Sequence, residues 1–201
     1  MTETLDVVLA AVDERAAACF DEVAGEFARV RVWRGSILDA GCAAVVSPAN
    51  SFGFMDGGLD GRYLVHFGQS IQTAVRARIF HDHDGELFVG EALAVETGDA
   101  SVPWLIAAPT MRVPMRLPAD TVNPYLAMRA ILRCAAGLGV TSVAVPGLGT
   151  GVGGVPAATC ARQMAAALRS ASAPTRLPGS WAEASEEHQL LYTDRPGRLQ
   201  Y

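Results

Sequence analysis

No run of about 18 apolar residues occurs in the chain, so no membrane span is expected. A basic excess is also missing. Sixteen Lys plus Arg stand against 21 Asp plus Glu, a net charge of −5, which argues against a nucleic-acid partner. The opening Met1-Thr2-Glu3-Thr4 has no basic flank of a signal peptide, so a cytoplasmic location is expected. There is no C-x-x-C pair. Cys19, Cys42, Cys134 and Cys160 are widely spaced and read as isolated thiols rather than disulfides or zinc ligands. No Gly-Lys-Ser/Thr follows any glycine-rich stretch, which excludes a P-loop. Internal repeats and low-complexity tracts are absent, and neither a metal nor a cofactor is expected. None of these absences excludes a small anionic ligand, because backbone amides bind anions without any net charge.

What is present suits one compact α/β domain over residues 1–201, half of them hydrophobic. An N-terminal strand and helix occupy 1–27, the core 28–170, and a C-terminal strand in an irregular tail 171–201. Leu5–Ala11 is a short apolar run that predicts a strand. Asp13 can cap the helix Glu14–Glu26. Arg29–Trp33 alternates as a second strand, and Ala43–Ser47 fits a buried central one. Leu59, Tyr63, Phe67, Ile71, Val75 and Ile79 recur every four residues and predict one long helix. Ala92–Glu96 and Trp104–Ala108 read as paired strands. Asn123 to about Ala136 reads as a helix, Ser142–Val145 as a strand, and the stretch from Pro156 to about Ser170 as a last helix. Gln189–Thr193 is the expected edge strand of the tail. Strands alternating with helices predict a three-layer α/β/α sandwich around a central mixed sheet.

Two glycine-rich loops, Asn50–Gly58 and Pro146–Gly154, each follow a buried strand and precede a helix. Ligands bind at such strand ends in α/β sheets. Glycines let the backbone approach a ligand, and free N–H groups at a helix start favour phosphate. The second loop has five glycines in nine positions, more than a turn requires. Gly149, Gly151 and Gly154 also match G-x-G-x-x-G. A dinucleotide-binding unit would need a further strand and an acid about 20 residues on, and Ser172–Gly179 supplies neither.

Ala43–Asp60, reading A-A-V-V-S-P-A-N-S-F-G-F-M-D-G-G-L-D, resembles the macrodomain signature in which a strand leads into N-A-A-N and then G-G-G-V-D. Val143–Pro156, reading V-A-V-P-G-L-G-T-G-V-G-G-V-P, is similar to that family's phosphate loop, P-x-x-S-T-G-x-x-G-x-P. The resemblance runs over roughly residues 28 to 170. It implies an α/β/α sandwich that binds ADP-ribose, or an ADP-ribosylated substrate, and with it hydrolysis of an ADP-ribosyl or ADP-ribose ester linkage. The alternatives are a non-catalytic ADP-ribose-binding module and a domain that takes another nucleotide. By position, Asn50 matches the asparagine that contacts the distal ribose and Asp60 the acid that acts on a water there, and the resemblance implies that these two are the catalytic residues. Gly57 and Gly58 would lie against that ribose and phosphate. Gly149, Thr150, Gly151, Val152 and Gly153 would wrap the diphosphate.

Hydrolysis at an anomeric carbon needs a positioned water and a carboxylate to orient or deprotonate it. Asp60, at a helix start, is expected to keep a low pKa; its plainer role is to cap that helix. Where the family reads G-D-I, with the acid on the adenine amine, this chain reads Gly35-Ser36-Ile37. Ser36 and Ile37 are the expected contacts there, with Asp39 a nearby substitute. Ser47 replaces the first asparagine of N-A-A-N. Phe52 or Phe54 can supply an aromatic wall to the distal ribose. Arg112 follows a buried strand end, within reach of a ligand phosphate, but reads first as a surface arginine; the His81-Asp82-His83-Asp84 turn reads as solvated, and His66 as packed or partly exposed beside its helix stripe.

Overall fold

The computed structural model describes residues 5–197. Met1–Thr4, the segment read above against a signal peptide, and the last four residues of the tail lie outside them. The elements are β1 (Asp6–Ala11), α1 (Glu14–Ala24), β2 (Val30–Arg34), β3 (Ala44–Ser47), α2 (Gly58–Phe67), α3 (Ser70–Asp82), β4 (Leu93–Glu96), β5 (Trp104–Ala107), α4 (Asn123–Leu138), β6 (Ser142–Val145), α5 (Ala157–Ser172) and α6 (Trp181–Gln189). The six strands form one sheet in the order β2-β1-β6-β3-β5-β4. All neighbours pair in parallel except β4, which runs antiparallel to β5. The sheet is therefore mixed.

Buried strands carry apolar residues on both faces because helices cover both. Val7 and Leu9 of β1, with Val143 and Val145 of β6, pack into a cluster with α1, α4 and α5. Their alternates Val8, Ala10 and Ala144 pack into a second cluster with α2 and α3. Phe20, Met128, Ile131 and Met164 fill the first, and Tyr63, Ile71 and Leu105 fill the second, all nearly inaccessible to solvent. Each such side chain contributes roughly 1.5–3 kcal/mol by burial. The result is a three-layer α/β/α sandwich.

Two expectations fail. The stripe from Leu59 to Ile79 is not one helix. The chain breaks at Gly68, whose φ of 82° ends α2, and α3 restarts at Ser70. The break costs no core contact, because Tyr63, Ile71, Val75 and Ile79 still reach the same cluster. The expected strand Gln189–Thr193 is instead the end of α6 and the turn after it. Ser180 caps α6 by accepting from the Glu183 amide at 3.1 Å, an S-x-x-E start that outweighs the short β-like pattern. Gln189 then donates to the Gly197 carbonyl at 2.8 Å and accepts from its amide at 2.9 Å, which folds the tail back on the helix.

No helix among the described residues is long and apolar enough to cross a membrane. His83, in the polar turn after α3, pairs with Glu91 at 3.3 Å, and His66 with Asp99 at 3.0 Å. Among the described residues no group of three or more His, Cys, Asp or Glu is arranged to hold a metal.

Candidate functional site

The parallel strands end on one edge of the sheet, and five of the loops leaving that edge enclose a cavity of about 620 Å³. The order of the loops follows the order of the strands. Gly35–Leu38 leaves β2, Val12 and Asp13 leave β1, Pro146–Gly153 leaves β6, Pro48–Asp60 leaves β3, and Thr110–Pro114 follows β5. The cavity therefore runs as a row across the strand ends, with the second glycine loop in the middle.

The first loop is built around a side chain. Asn50, three residues beyond β3 and buried, accepts from the Phe52 and Phe54 amides at 3.1 and 3.3 Å and donates to the Phe54 carbonyl at 2.8 Å. Two side chains of α3 hold the same loop from below. Arg76 donates to the Phe52 carbonyl at 2.8 Å, and Gln72 accepts from the Met55 amide at 2.8 Å. Gly53 must be glycine. Its φ is 68°, and a Cβ there would sit 2.9 Å from Ile79 Cδ1.

The second loop turns on itself. The Val155 amide donates to the Gly149 carbonyl at 3.0 Å, and the Gly154 amide to the Gly151 carbonyl at 3.0 Å. The Gly153 carbonyl accepts from Leu117 at 2.9 Å, and buried Cys160 accepts the Leu148 amide at 3.2 Å. Between these ties, the amides of Thr150, Gly151, Val152 and Gly153 have no hydrogen-bond acceptor among the described residues. Consecutive free amides at a glycine-rich turn form a concave anion site.

Asp60 lies in the first turn of α2, on the far side of the second loop from β1 and β2. Ser47, at the end of β3 and 1% exposed, donates to Asp60 Oδ1 at 2.6 Å. Tyr63, one turn on, donates to the Val46 carbonyl at 2.9 Å and clamps α2 against β3. Burial pushes the Asp60 pKa up to about 6; the Ser47 hydrogen bond opposes that shift, and the charge of Asp56 adds to it. This corrects the expectation of a low value, which weighed the helix dipole alone. Loss of water outweighs the dipole here.

Ser36, Ile37, Asn50, Gly57, Gly58, Asp60 and the run Gly149–Gly153 all line the cavity. Phe52 does not. Its ring lies under the Arg112 guanidinium at 5.1 Å, and Arg112 in turn pairs with Glu86 at 2.6 Å. Phe54 takes the place at the wall, with Arg76 over its ring at 4.3 Å. Asp39, expected beside the base end, lies in the single 3-10 turn Ile37–Asp39 and is not part of the lining. Asp13, Asp56 and Arg62 line the cavity without having been singled out as site residues. No local pattern marks them, except the helix-cap position of Asp13. In the sequence Ser47 shows only as a departure from the motif, because its partner lies 13 residues away, across a glycine loop.

Ser47→Ala tests this reading of Asp60 directly. The lost bond favours the ionised carboxylate, so the Asp60 pKa is expected to climb above its present value of about 6. Carboxyl NMR titration reads it; an unchanged midpoint overturns the assignment. Stability at pH 8 should fall by about 1–3 kcal/mol, because a buried ionised acceptor loses its donor.

Fold and cavity together define a three-layer α/β/α domain whose pocket lies along the carboxyl ends of a parallel row of strands, the place where such sheets take ligands. The Macro domain family model matches residues 46–164, more than half of the chain, and the chain belongs to that family. It is 36% identical over 148 residues to an uncharacterized protein of Aeropyrum pernix, covering 73% of this chain and 71% of that one. Its fold is similar to the macrodomain of Mycobacterium tuberculosis DarG, with a TM-score of 0.60 and 25% identity over 69% of this chain and 89% of the other. A glycine-to-valine mutant of an Oceanobacillus iheyensis macrodomain, solved with ADPR, is similar in fold at a TM-score of 0.56 and 22% identity, over 65% of this chain and 72% of the other.

Proposed function

We propose that this chain binds ADP-ribose along the row of strand ends and hydrolyses an ADP-ribosyl linkage at the Asp60 end. The observation that carries the reading is the pairing, in one cavity, of four free amides with a half-buried carboxylate beyond them. The amides of Thr150–Gly153 take the diphosphate. The distal ribose then falls between Gly57, Gly58 and Asp60, and the base falls over β1 and β2. The ADPR found with the Oceanobacillus iheyensis macrodomain mutant supports the choice of ligand.

In this reading a water attacks the anomeric carbon of the distal ribose. The bond from that carbon to the acceptor breaks, and its electron pair leaves with the acceptor, which takes a proton from solvent. Asp60 receives the water's proton on the oxygen not held by Ser47. A base with a pKa near 6 is ionised at neutral pH and still basic enough to take a proton. Turnover is therefore expected to fall as pH drops through about 6. Asn50 acts indirectly, since its side chain is engaged with the loop backbone.

Calorimetry with ADP-ribose is the first test. A Kd of about micromolar order is expected, and absence of heat at roughly millimolar ligand overturns the reading. Incubation with mono-ADP-ribosylated protein and with acetylated ADP-ribose then separates an enzyme from a binding module. Release of ADP-ribose from either supports the enzyme.

A further inference from the structure

The cavity has two ends, and the side chains lining the one over β1 and β2 are apolar except for one hydroxyl and one carboxylate. Its walls are Ala16 and Phe20 of α1 and Ile37 and Leu38 after β2. Phe20 and Ile37 are buried, so this end suits a flat, largely apolar ring. Two side chains there can form hydrogen bonds, those of Ser36 and Asp13. The Ser36 carbonyl accepts from Trp33 Nε1 at 2.9 Å and from the Asp39 amide at 3.0 Å, and its side chain offers a hydroxyl. A hydroxyl both donates and accepts, so it cannot tell an amino group from a carbonyl.

Asp13 can. An ionised carboxylate only accepts. Its position is fixed by its own helix: Oδ1 accepts from the Ala16 amide at 2.9 Å and caps α1. Oδ2 has no partner among the described residues. Arg34, the cation at the end of the adjacent strand, is held by Glu14 and Asp21 and does not neutralise Asp13. The other acid near this end, Asp39, does not line the cavity.

We infer that Asp13 reads the base, accepting a hydrogen bond from the exocyclic amino group of a 6-aminopurine and rejecting a 6-oxopurine, whose oxygen would face the carboxylate. The inference rests on the reading of the cavity as an ADP-ribose site, with the base over β1. It assigns the selectivity to a residue of the β1–α1 junction, not to the loop after β2.

Asp13→Asn makes a clean test, because asparagine caps helices as well as aspartate does. With Oδ1 kept on Ala16, the amide presents a donor where Oδ2 was, and the preference should invert. Calorimetry is run with ADP-ribose and with its hypoxanthine analogue on the parent and on Asp13→Asn, with a thermal melt to confirm the fold. The parent is expected to favour ADP-ribose by roughly tenfold or more, as a charge-assisted hydrogen bond allows. The variant should bind the hypoxanthine analogue at least as well as ADP-ribose. Equal affinity of the parent for both ligands, or an unchanged preference in the variant, overturns the role of Asp13 and leaves the ADP-ribose site standing. No binding of either ligand by the parent overturns both.

Discussion

Asp60→Asn is expected to lower turnover by about 10²–10⁴ while making the protein more stable at pH 8. The two effects have one cause. Folding carries the Asp60 carboxyl from an ordinary value of 3.8 to about 6, so the folded state holds the proton more tightly than the unfolded chain does. The stability this group contributes is complete below about 3.8 and is lost as pH rises through about 6. Above that, the ionised form strains the fold by at most about 3 kcal/mol. Asparagine still accepts from Ser47 and carries no charge to bury. Its melting temperature at pH 8 should exceed the parent's by several degrees, and the gap should close towards pH 4. Melts at the two pH values, together with ADP-ribose release assays, read both effects. Turnover within tenfold of the parent would remove Asp60 from the chemistry. A melt unchanged at pH 8 would show that its burial is not strained.

Gly153→Ala should weaken ADP-ribose binding by about a hundredfold and cost about 1–3 kcal/mol of stability. The backbone at Gly153 needs no positive φ, so the effect is steric. A Cβ there would lie 2.5 Å from the Gly149 carbonyl oxygen and 3.1 Å from Leu117 Cδ1 and Met111 Cε. The side chains can yield; the carbonyl cannot, because it holds the Val155 amide. Relief must come from moving the turn, and the turn carries the amides assigned to the diphosphate. Gly151→Ala is the control for stability. Nothing lies within 4 Å of its Cβ, and it should melt as the parent does. Calorimetry and thermal melts check the pair; a Gly153→Ala protein that binds ADP-ribose like the parent refutes the placement of the phosphates.

The sequence made the layers and most strands legible, because a run such as Val7–Ala11 or Ala44–Val46 that is apolar on both faces has to be covered on both. Both glycine loops were legible for a similar local reason. What stayed hidden depended on distant partners. Gly68 interrupts a stripe that continues in register on either side, so periodicity alone could not reveal the break. The start of α6 was written in Ser180 and Glu183, but a β-like stretch at its end masked it. The pKa of Asp60 depends on Ser47 and on burial under β3, which no spacing rule encodes. Asp13 read as a helix cap and is one. Its place in the cavity became apparent only once the sheet order set β1 beside β6.

The Asn50 side chain closes its loop with bonds that backbone usually makes to backbone. The segment Asn50–Phe54 therefore surrenders its conformational entropy during folding, at about 1 kcal/mol or more per residue, and not when a ligand arrives. A ligand meeting this wall has little disorder left to remove there. Binding should accordingly carry a smaller entropic penalty than a loose glycine loop would impose, and more of the contact energy should survive as affinity.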